Sequence, residues 1–275
     1  MIRSPEVAIS RIAARVGRGE PLADLALRAA AGLGDAAHGV GSVVAATFSN
    51  PDRFPSLAVR VATALDLPAS VPAFDLQMAC SAYPYALYVA GRLAADTGLP
   101  SLVIDGDVQS PLVDPSDHAT GGIFSDAATA TIVTADPSSA SVSPFAFLAR
   151  HDASALSCPS AGPIKMDGFG VFTFVATEVS AFLKDFLAES GVVPDMFAPH
   201  QANPYMVRQL AKSLGLDDRL IAIDESLKNP GSCSVAMALA AGARPGIALV
   251  AGFGAGLSAA AGMVRISEDF KGDVA

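Results

Sequence analysis

The stretch FDLQMACSAYPYALYVAGRLAADTG, residues 74–98, decides the fold. It follows VPA, with which its first residues read as a short strand, VPAFDL. The run stops at Cys80, and the segment after it is apolar on nearly every side. A helix that is apolar all round must be buried all round. A second segment of this kind, SCSVAMALAAG (232–242), lies in the other half of the chain and also carries no charge. Two such helices, one per half, predict a central helical layer between two sheets.

Working outward, the first half alternates strand and helix. PLADLALRAAAGL (21–33) has helical spacing and a glycine stop, and GVGSVVAATFS (39–49) reads as a strand. PSLAVRVATALDL (55–67) is an amphipathic helix with Pro55 expected at its first position. SLVIDGD (101–107) and AATATIVTAD (127–136) are further strands. The second half repeats this grammar. FTFVATEVSAFLKDFLAESG (172–191) reads as a helix and DMFAPH as a strand ending at His200. QANPYMVRQLAKSLG reads as a helix, LIAIDE (220–225) as a strand, and SLKNPGS as a loop before the second buried helix. Alternation of this kind argues for a mostly parallel sheet covered by helices. The expected architecture is two similar α/β halves, 1–142 and 143–275, fused in one unit with PSSASVSP (137–144) as the seam.

The stretch GIALVAGFGAGLSAAAGMV (246–264) carries no charge and is long enough to cross a bilayer. Its glycines make a poor continuous helix, so it reads as a buried hairpin around GFGAG. The opening residues, MIRSPEVAISRIAARVGRGE, hold no continuous apolar core, so no secretory signal is expected. The 275 residues are 51% hydrophobic and 16% charged, which excludes a disordered chain. The net charge of −9 excludes the basic face that a nucleic-acid partner requires. Three scattered cysteines, Cys80, Cys158 and Cys233, fit neither a disulfide framework nor a metal site and point to a reduced, cytoplasmic setting.

Three residues are candidates for chemistry. Cys80 stands where a strand gives way to a helix, a corner at which α/β enzymes place nucleophiles and where helix amides are expected to lower a thiol's pKa. A buried structural cysteine is the alternative. His200 ends a strand, facing the crevice where open α/β sheets bind ligands. Asn229 precedes the second buried helix, with Pro230 biasing it toward extended backbone. Read singly, His200 is equally a satisfied core histidine and Asn229 an ordinary turn residue.

Together they resemble a known family, the thiolase-fold condensing enzymes, and most closely the β-ketoacyl-acyl-carrier-protein synthase III group. MACSAYPYAL is similar to its cysteine motif, DPSDHATGGIFSDAATATIV (114–133) to its Asp-Pro … Phe-Gly-Asp-Gly-Ala segment, and KMDGFGVFTF (165–174) to the opening of its second half. PHQAN (199–203) matches its histidine motif, and FGAGLSAAAGMVRI (253–266) resembles its glycine-rich C-terminal hairpin. The resemblance covers roughly residues 39 to 266 in order.

It implies a five-layer α-β-α-β-α sandwich, N-terminally shortened, with Cys80 as nucleophile and His200 and Asn229 as its partners. Backbone amides of Cys80, Gly254, Ala255 and Gly256 would hold an oxyanion. Arg208 and Lys212 would offer a docking face to an acidic acyl carrier protein, a solvated helix face being the alternative. The implied substrates are coenzyme A or phosphopantetheine thioesters, with no other cofactor, and the implied assembly is a homodimer formed through a sheet edge near the nucleophile.

The implied activity is loading of an acyl group on Cys80 and decarboxylative condensation with a malonyl thioester, as in fatty acid or polyketide synthesis. Transfer of the acyl group to an alcohol or amine without decarboxylation is the alternative, and a non-catalytic partner subunit is a third reading. A papain-like protease shares the order Cys, His, Asn, but its Cys-Gly-Ser-Cys-Trp signature is absent. Several positions depart from the family. No tryptophan is present and only Arg11, Arg15 and Arg18 stand near its nucleotide-binding arginines. Tyr205 replaces a basic residue, Lys228-Asn229-Pro230 stands for Gly-Asn-Thr, and Pro84 and Ala255 are unusual.

Overall fold

The structure, a computed structural model, describes residues 1–136, 138, 139, 141–152 and 154–275. Its strands in chain order are β1 (Ile2–Val16), β2 (Ser42–Ala46), β3 (Ala73–Leu76), β4 (Ser101–Asp107), β5 (Ala127–Asp136) and β6 (Val142–Asp152), then β7 (Leu156–Ser157), β8 (Lys165–Met166), β9 (Met196–Pro199), β10 (Gly246–Gly254) and β11 (Gly256–Val274). The helices are α1 (Leu22–Ala31), α2 (Leu57–Ala64), α3 (Ala82–Thr97), α4 (Gly168–Phe174), α5 (Ser180–Ser190), α6 (Pro204–Leu214) and α7 (Ser234–Gly242).

Nine strands hydrogen-bond in the order β3-β2-β4-β5-β1-β6-β11-β10-β9, and β7 and β8 form a small separate pair. Outward from the β1/β6 junction the halves mirror each other. β1, β5, β4 and β2 correspond to β6, β11, β10 and β9, with the same sequence of antiparallel, antiparallel and parallel pairings. The two expected sheets are thus joined edge to edge. The opening residues of the chain form β1, which pairs with β5, β6 and β11 at the junction. Of the expected seam, Pro137 and Ala140 lie outside the described residues, and Val142 already opens β6.

Alternation along the strands divides the core into layers, because successive side chains of a strand point to opposite faces. Val44 and Ala46 of β2 and Ala248 and Val250 of β10 join one central cluster with Tyr83, Leu87, Val235 and Leu239 of α3 and α7. Val43 and Ala45 turn instead to α1 and α2. Leu249 and Ala251 turn to the layer of α4, α5 and α6. The result is the five-layer sandwich, with α3 and α7 in its middle. Residues Ser234 to Ala240 of α7 are all buried, as a helix without a polar face requires. Pro84 falls within the first turn of α3, where a missing N–H leaves no bond unmade.

The uncharged 246–264 run is the β10–β11 hairpin, antiparallel from Gly246 to Ile266. Among the described residues no helix is long and apolar enough to cross a membrane. Four expectations change. The sheet is mixed, not mostly parallel: β1–β5, β1–β6, β4–β5, β6–β11 and β10–β11 all pair antiparallel. Ser56, not Pro55, caps α2, its Oγ accepting from Val59 N. The expected 172–191 helix begins earlier, at Gly168, and passes through a π turn at Val175–Val179. The expected strand at 220–225 is reduced to a single bridge, Phe197 to Leu220. The reason is the side chain of Gln201, which takes a strand's place. Its Nε2 donates to Ile221 O (3.3 Å) and its Oε1 accepts from Ile223 N (3.3 Å).

The inner face of β4 carries two fully buried carboxyl groups, Asp105 and Asp107. Both oxygens of Asp105 lack a hydrogen-bond partner among the described residues, and burial pushes its pKa well above the usual carboxylate range. A group whose pKa is raised on folding favours the folded state most below its unfolded pKa, and that contribution is lost as pH rises. Asp105→Asn, which cannot ionise, is therefore expected to gain stability relative to wild type from about pH 5 to about pH 8. Urea unfolding across that range tests this; a difference that stays constant or shrinks would contradict it.

Candidate active site

Cys80 lies in a tight turn, Ala79–Ser81, that leads into α3. Ala79 holds φ at +45°, a left-handed conformation that costs a non-glycine residue roughly 1–2 kcal/mol. The backbone of β10 presses against this turn. A Cβ at Gly252 would sit 2.8 Å from Ser81 Cα, and one at Gly254 would sit 2.8 Å from Cys80 Cβ. Glycine is therefore required for the hairpin to reach the thiol. The Ser81 and Ser258 hydroxyls, 2.8 Å apart, bind the two segments together.

Asn229 enters from the other half. Its backbone is extended as Pro230 predicts and bridges Phe124 in parallel. The preceding Lys228 has φ of +54°, so the position where the family resemblance implied glycine does need a left-handed backbone. The Oδ1 of Asn229 accepts from Gly231 N at 3.0 Å, which leaves Nδ2 as the donor turned to the site. His200 is anchored by its amide donating to Ala251 O (2.7 Å) and packs edge-on against Phe253, 5.4 Å away at 85°.

Cys80, His200 and Asn229 line one cavity of about 280 Å³, together with Phe124, Phe253 and Gly254. The three candidates from distant parts of the chain thus meet in one place. Ala255 lines a second cavity of about 150 Å³ that also touches Cys80. Gly256 lines neither; it is exposed and pairs with Asp152, so it drops out of the backbone set. Arg208 is exposed, pairs with Glu225 at 3.0 Å, and lines a third cavity of about 230 Å³ that shares Asn229 with the first. Lys212 sits in the last turn of α6 and lines none of these cavities. Arg11 and Arg15 bond to Leu33 O and Asp273, and neither they nor Arg18 line the cavities at Cys80.

The expected low thiol pKa is overturned. Burial pushes Cys80 up to about 12, with the Asp107 and Asp105 carboxyls adding in the same direction. Helix-end amides contribute about 0.3–1 kcal/mol, less than one pKa unit, whereas burial shifts a group by up to 3–5 units. Burial also pushes His200 down to about 3. The resting pair is a neutral thiol and a neutral imidazole.

Four further residues shape the site, and sequence reading did not single them out. Ser234 Oγ accepts from Gln201 N (3.2 Å) and lies 2.6 Å from His200 Nδ1. Its own proton has no other acceptor among the described residues, so it donates to Nδ1 and leaves the imidazole proton on Nε2. Asp107 collects Thr47 Oγ1, Phe48 N, Ser232 N and Ser232 Oγ within 3.0 Å. Gln109 Nε2 donates to the carbonyls of Ser125 and Asn229. Gln201, as described, holds the segment behind His200. Only its place inside the His-Gln-Ala-Asn run offered any sign of this.

Paired α/β halves around two buried helices, with Cys, His and Asn in one cavity, define the thiolase-fold class. Two family models match, 3-oxoacyl-[acyl-carrier-protein (ACP)] synthase III over residues 74–150 and its C-terminal part over residues 192–266. The chain is 32% identical to the β-ketoacyl-[acyl-carrier-protein] synthase III of Rhodospirillum rubrum, covering 90% of this chain and 85% of that protein. It is 34% identical to the mycobacterial enzyme of that name from Mycobacterium marinum, over 82% of this chain and 75% of that one. The crystal structure of a 3-oxoacyl-(acyl-carrier protein) synthase from Burkholderia xenovorans superposes with a TM-score of 0.90 at 24% identity, over 99% and 97% of the two chains. This chain belongs to the 3-oxoacyl-[acyl-carrier-protein] synthase III family.

A thiol held neutral by burial titrates only at high pH. Alkylation of Cys80 by iodoacetamide, followed by peptide mass spectrometry, is expected to accelerate about tenfold per pH unit between about pH 7 and 9.5 without levelling. A plateau below pH 8 would show instead a thiolate already held by His200.

Proposed function

We propose that this chain is an acyl-thioester condensing enzyme, an acyltransferase that extends an acyl group by decarboxylative condensation. The observation that carries this reading is the convergence of one thiol and two neutral donors, His200 Nε2–H and Asn229 Nδ2–H, on one cavity. The Cys80 sulfur attacks the carbonyl carbon of an acyl thioester. Amides of Cys80 and of the Gly254–Ala255 turn serve the tetrahedral oxyanion. The donor thiol departs and takes up the proton that Cys80 loses, so loading needs no net base. That suits a thiol kept neutral at rest.

A malonyl thioester then loses carbon dioxide. The electron pair of the breaking C–C bond becomes an enolate, whose oxygen lies between His200 and Asn229. Its carbon attacks the acyl carbonyl on Cys80, forming the new C–C bond and breaking the C–S bond, and the thiolate that leaves takes a proton from water to return to the neutral thiol. Donors that cannot give up a charge are what this step requires, because negative charge builds on oxygen and no C–H proton is removed. The donor pair also distinguishes condensation from simple acyl transfer, which has no enolate to stabilise. Arg208, at the mouth of the adjoining cavity, supports docking of an acidic acyl carrier protein. The free edge of β3, which ends four residues before Cys80, supports a homodimer.

The test uses radiolabelled malonyl thioester with enzyme preloaded from an acyl thioester. Asn229→Ala is expected to load Cys80 within a few-fold of wild type while carbon dioxide release falls about 10²–10³-fold, the cost of one oxyanion donor. Carbon dioxide release unchanged in that variant would overturn the assignment.

A further inference from the structure

Beside the catalytic cavity lies the one of about 230 Å³, which neither loading nor condensation uses. Ile123, Ala202, Asn203 and Asn229 form a wall common to both. Away from that wall the lining is apolar at Pro204, Val207 and Ile223, and charged at Arg208, Glu225 and Lys228. At a liquid-water share of about 30 Å³ per molecule, the space takes roughly eight heavy-atom groups.

Two residues keep this space open and charged without a structural need. Gly122 stands exposed at its rim. Its φ lies outside the left-handed region, and a Cβ there would meet nothing within 4 Å. Neither backbone nor packing demands glycine, so its effect is to leave room. Lys228 is left-handed, a conformation that glycine would hold without strain, yet a cation stands there. Glu225, the carboxylate on the lining, is paired with Arg208 at 3.0 Å. The charge of Lys228 is therefore uncompensated within the cavity.

The polar groups fit an anion as well. Asn203 Oδ1 accepts from Met206 N at 2.8 Å, which leaves Nδ2 as a spare donor. Gln201 is committed at both ends of its carboxamide, Nε2 donating to Pro199 O (2.6 Å) and Oε1 accepting from Ile223 N. The positive, N-terminal end of α6 also meets the cavity, at Pro204. A dianionic phosphate calls for more than one uncompensated cation, and a neutral compound for none. One spare positive charge beside an apolar side suits a monoanion with an alkyl body.

We propose that this cavity binds a small free carboxylate, its charge at Lys228 and Asn203 Nδ2 and its short alkyl chain against Val207 and Ile223. Resting on the condensing reading, the occupant slows that step. Lys228 adjoins Asn229, which receives the enolate charge, and a cation there favours the enolate. A carboxylate paired with Lys228 cancels that effect. Loading is left alone, because its oxyanion lies at the amides of Cys80 and the Gly254–Ala255 turn. Condensation thereby responds to free acids of about six carbons, the class that hydrolysis of short acyl thioesters releases.

The test sets hexanoate, which matches the cavity in size, against hexanamide, its neutral counterpart. Affinities are read by saturation-transfer NMR at low ionic strength, and carbon dioxide release and Cys80 loading are followed with and without hexanoate. Hexanoate is expected to bind about three- to fivefold more tightly than hexanamide, the range of one exposed ion pair. It is expected to lower carbon dioxide release about threefold and to leave loading unchanged. Gly122→Leu and Ala222→Leu, which narrow the cavity from two separate segments, are expected to weaken hexanoate binding about tenfold. Lys228→Met is expected to bring it to the hexanamide level. Equal binding of the two compounds, or binding unchanged in both leucine variants, would overturn the site. Hexanoate that binds as expected but leaves carbon dioxide release untouched would overturn its role. Binding as expected with no carbon dioxide released in any sample would sink the condensing reading and leave the site standing.

Discussion

The carboxyl group of Asp107 is the point on which the two halves depend. It sits at the end of β4 in the first half, where its Oδ1 accepts from Thr47 and Phe48. Its Oδ2 accepts the amide and hydroxyl of Ser232, 125 residues away, in the turn that leads into α7. No space separates them, since a Cβ at Gly231 would stand 2.7 Å from Oδ2. Burial still raises the pKa of Asp107, so these donors only partly offset the cost of removing the group from water. An apolar residue there would remove the two bonds that tie Ser232, at the head of α7, to the end of β4 in the first half. The arrangement stores cost at the interface and obtains position.

Backbone strain is placed with the same logic. Ala79 and Lys228 are left-handed non-glycine residues, and each immediately precedes a residue that faces the cavity. Such conformations persist where the surroundings over-determine them. At Ala79 the surroundings are the β10 backbone and the Ser81–Ser258 contact; at Lys228 they are the Phe124 bridge and the Asp107 network beyond it. Strain, close glycine contacts and a buried carboxyl group together explain how two loops from different halves share one small cavity.

Much of this was legible in the sequence because it is local. Apolar runs without a polar face marked α3 and α7, and a strand-to-helix corner marked Cys80. The glycine spacing of 246–264 marked a hairpin, not a membrane span. What was not legible depends on contacts between distant segments. Nothing in LIAIDE shows that a glutamine side chain will replace its neighbouring strand, and nothing in SLVIDGD shows that Asp107 will collect Ser232 while the oxygens of Asp105 find no partner within hydrogen-bond distance among the described residues. The thiol's pKa was misread for the same reason: the helix terminus is visible locally, whereas the extent of burial is a property of the whole fold. Gly256 was grouped with its neighbours by motif, yet the hairpin turns it outward.

The central claim is that His200 serves as a neutral donor from Nε2, its tautomer set by Ser234. Nitrogen-15 NMR of protein labelled in histidine, with His200 assigned by substitution, tests it directly. The account requires a protonated Nε2 and an unprotonated Nδ1 throughout the neutral range, with no titration near pH 6.5. An imidazolium at neutral pH, or the proton on Nδ1, would contradict it.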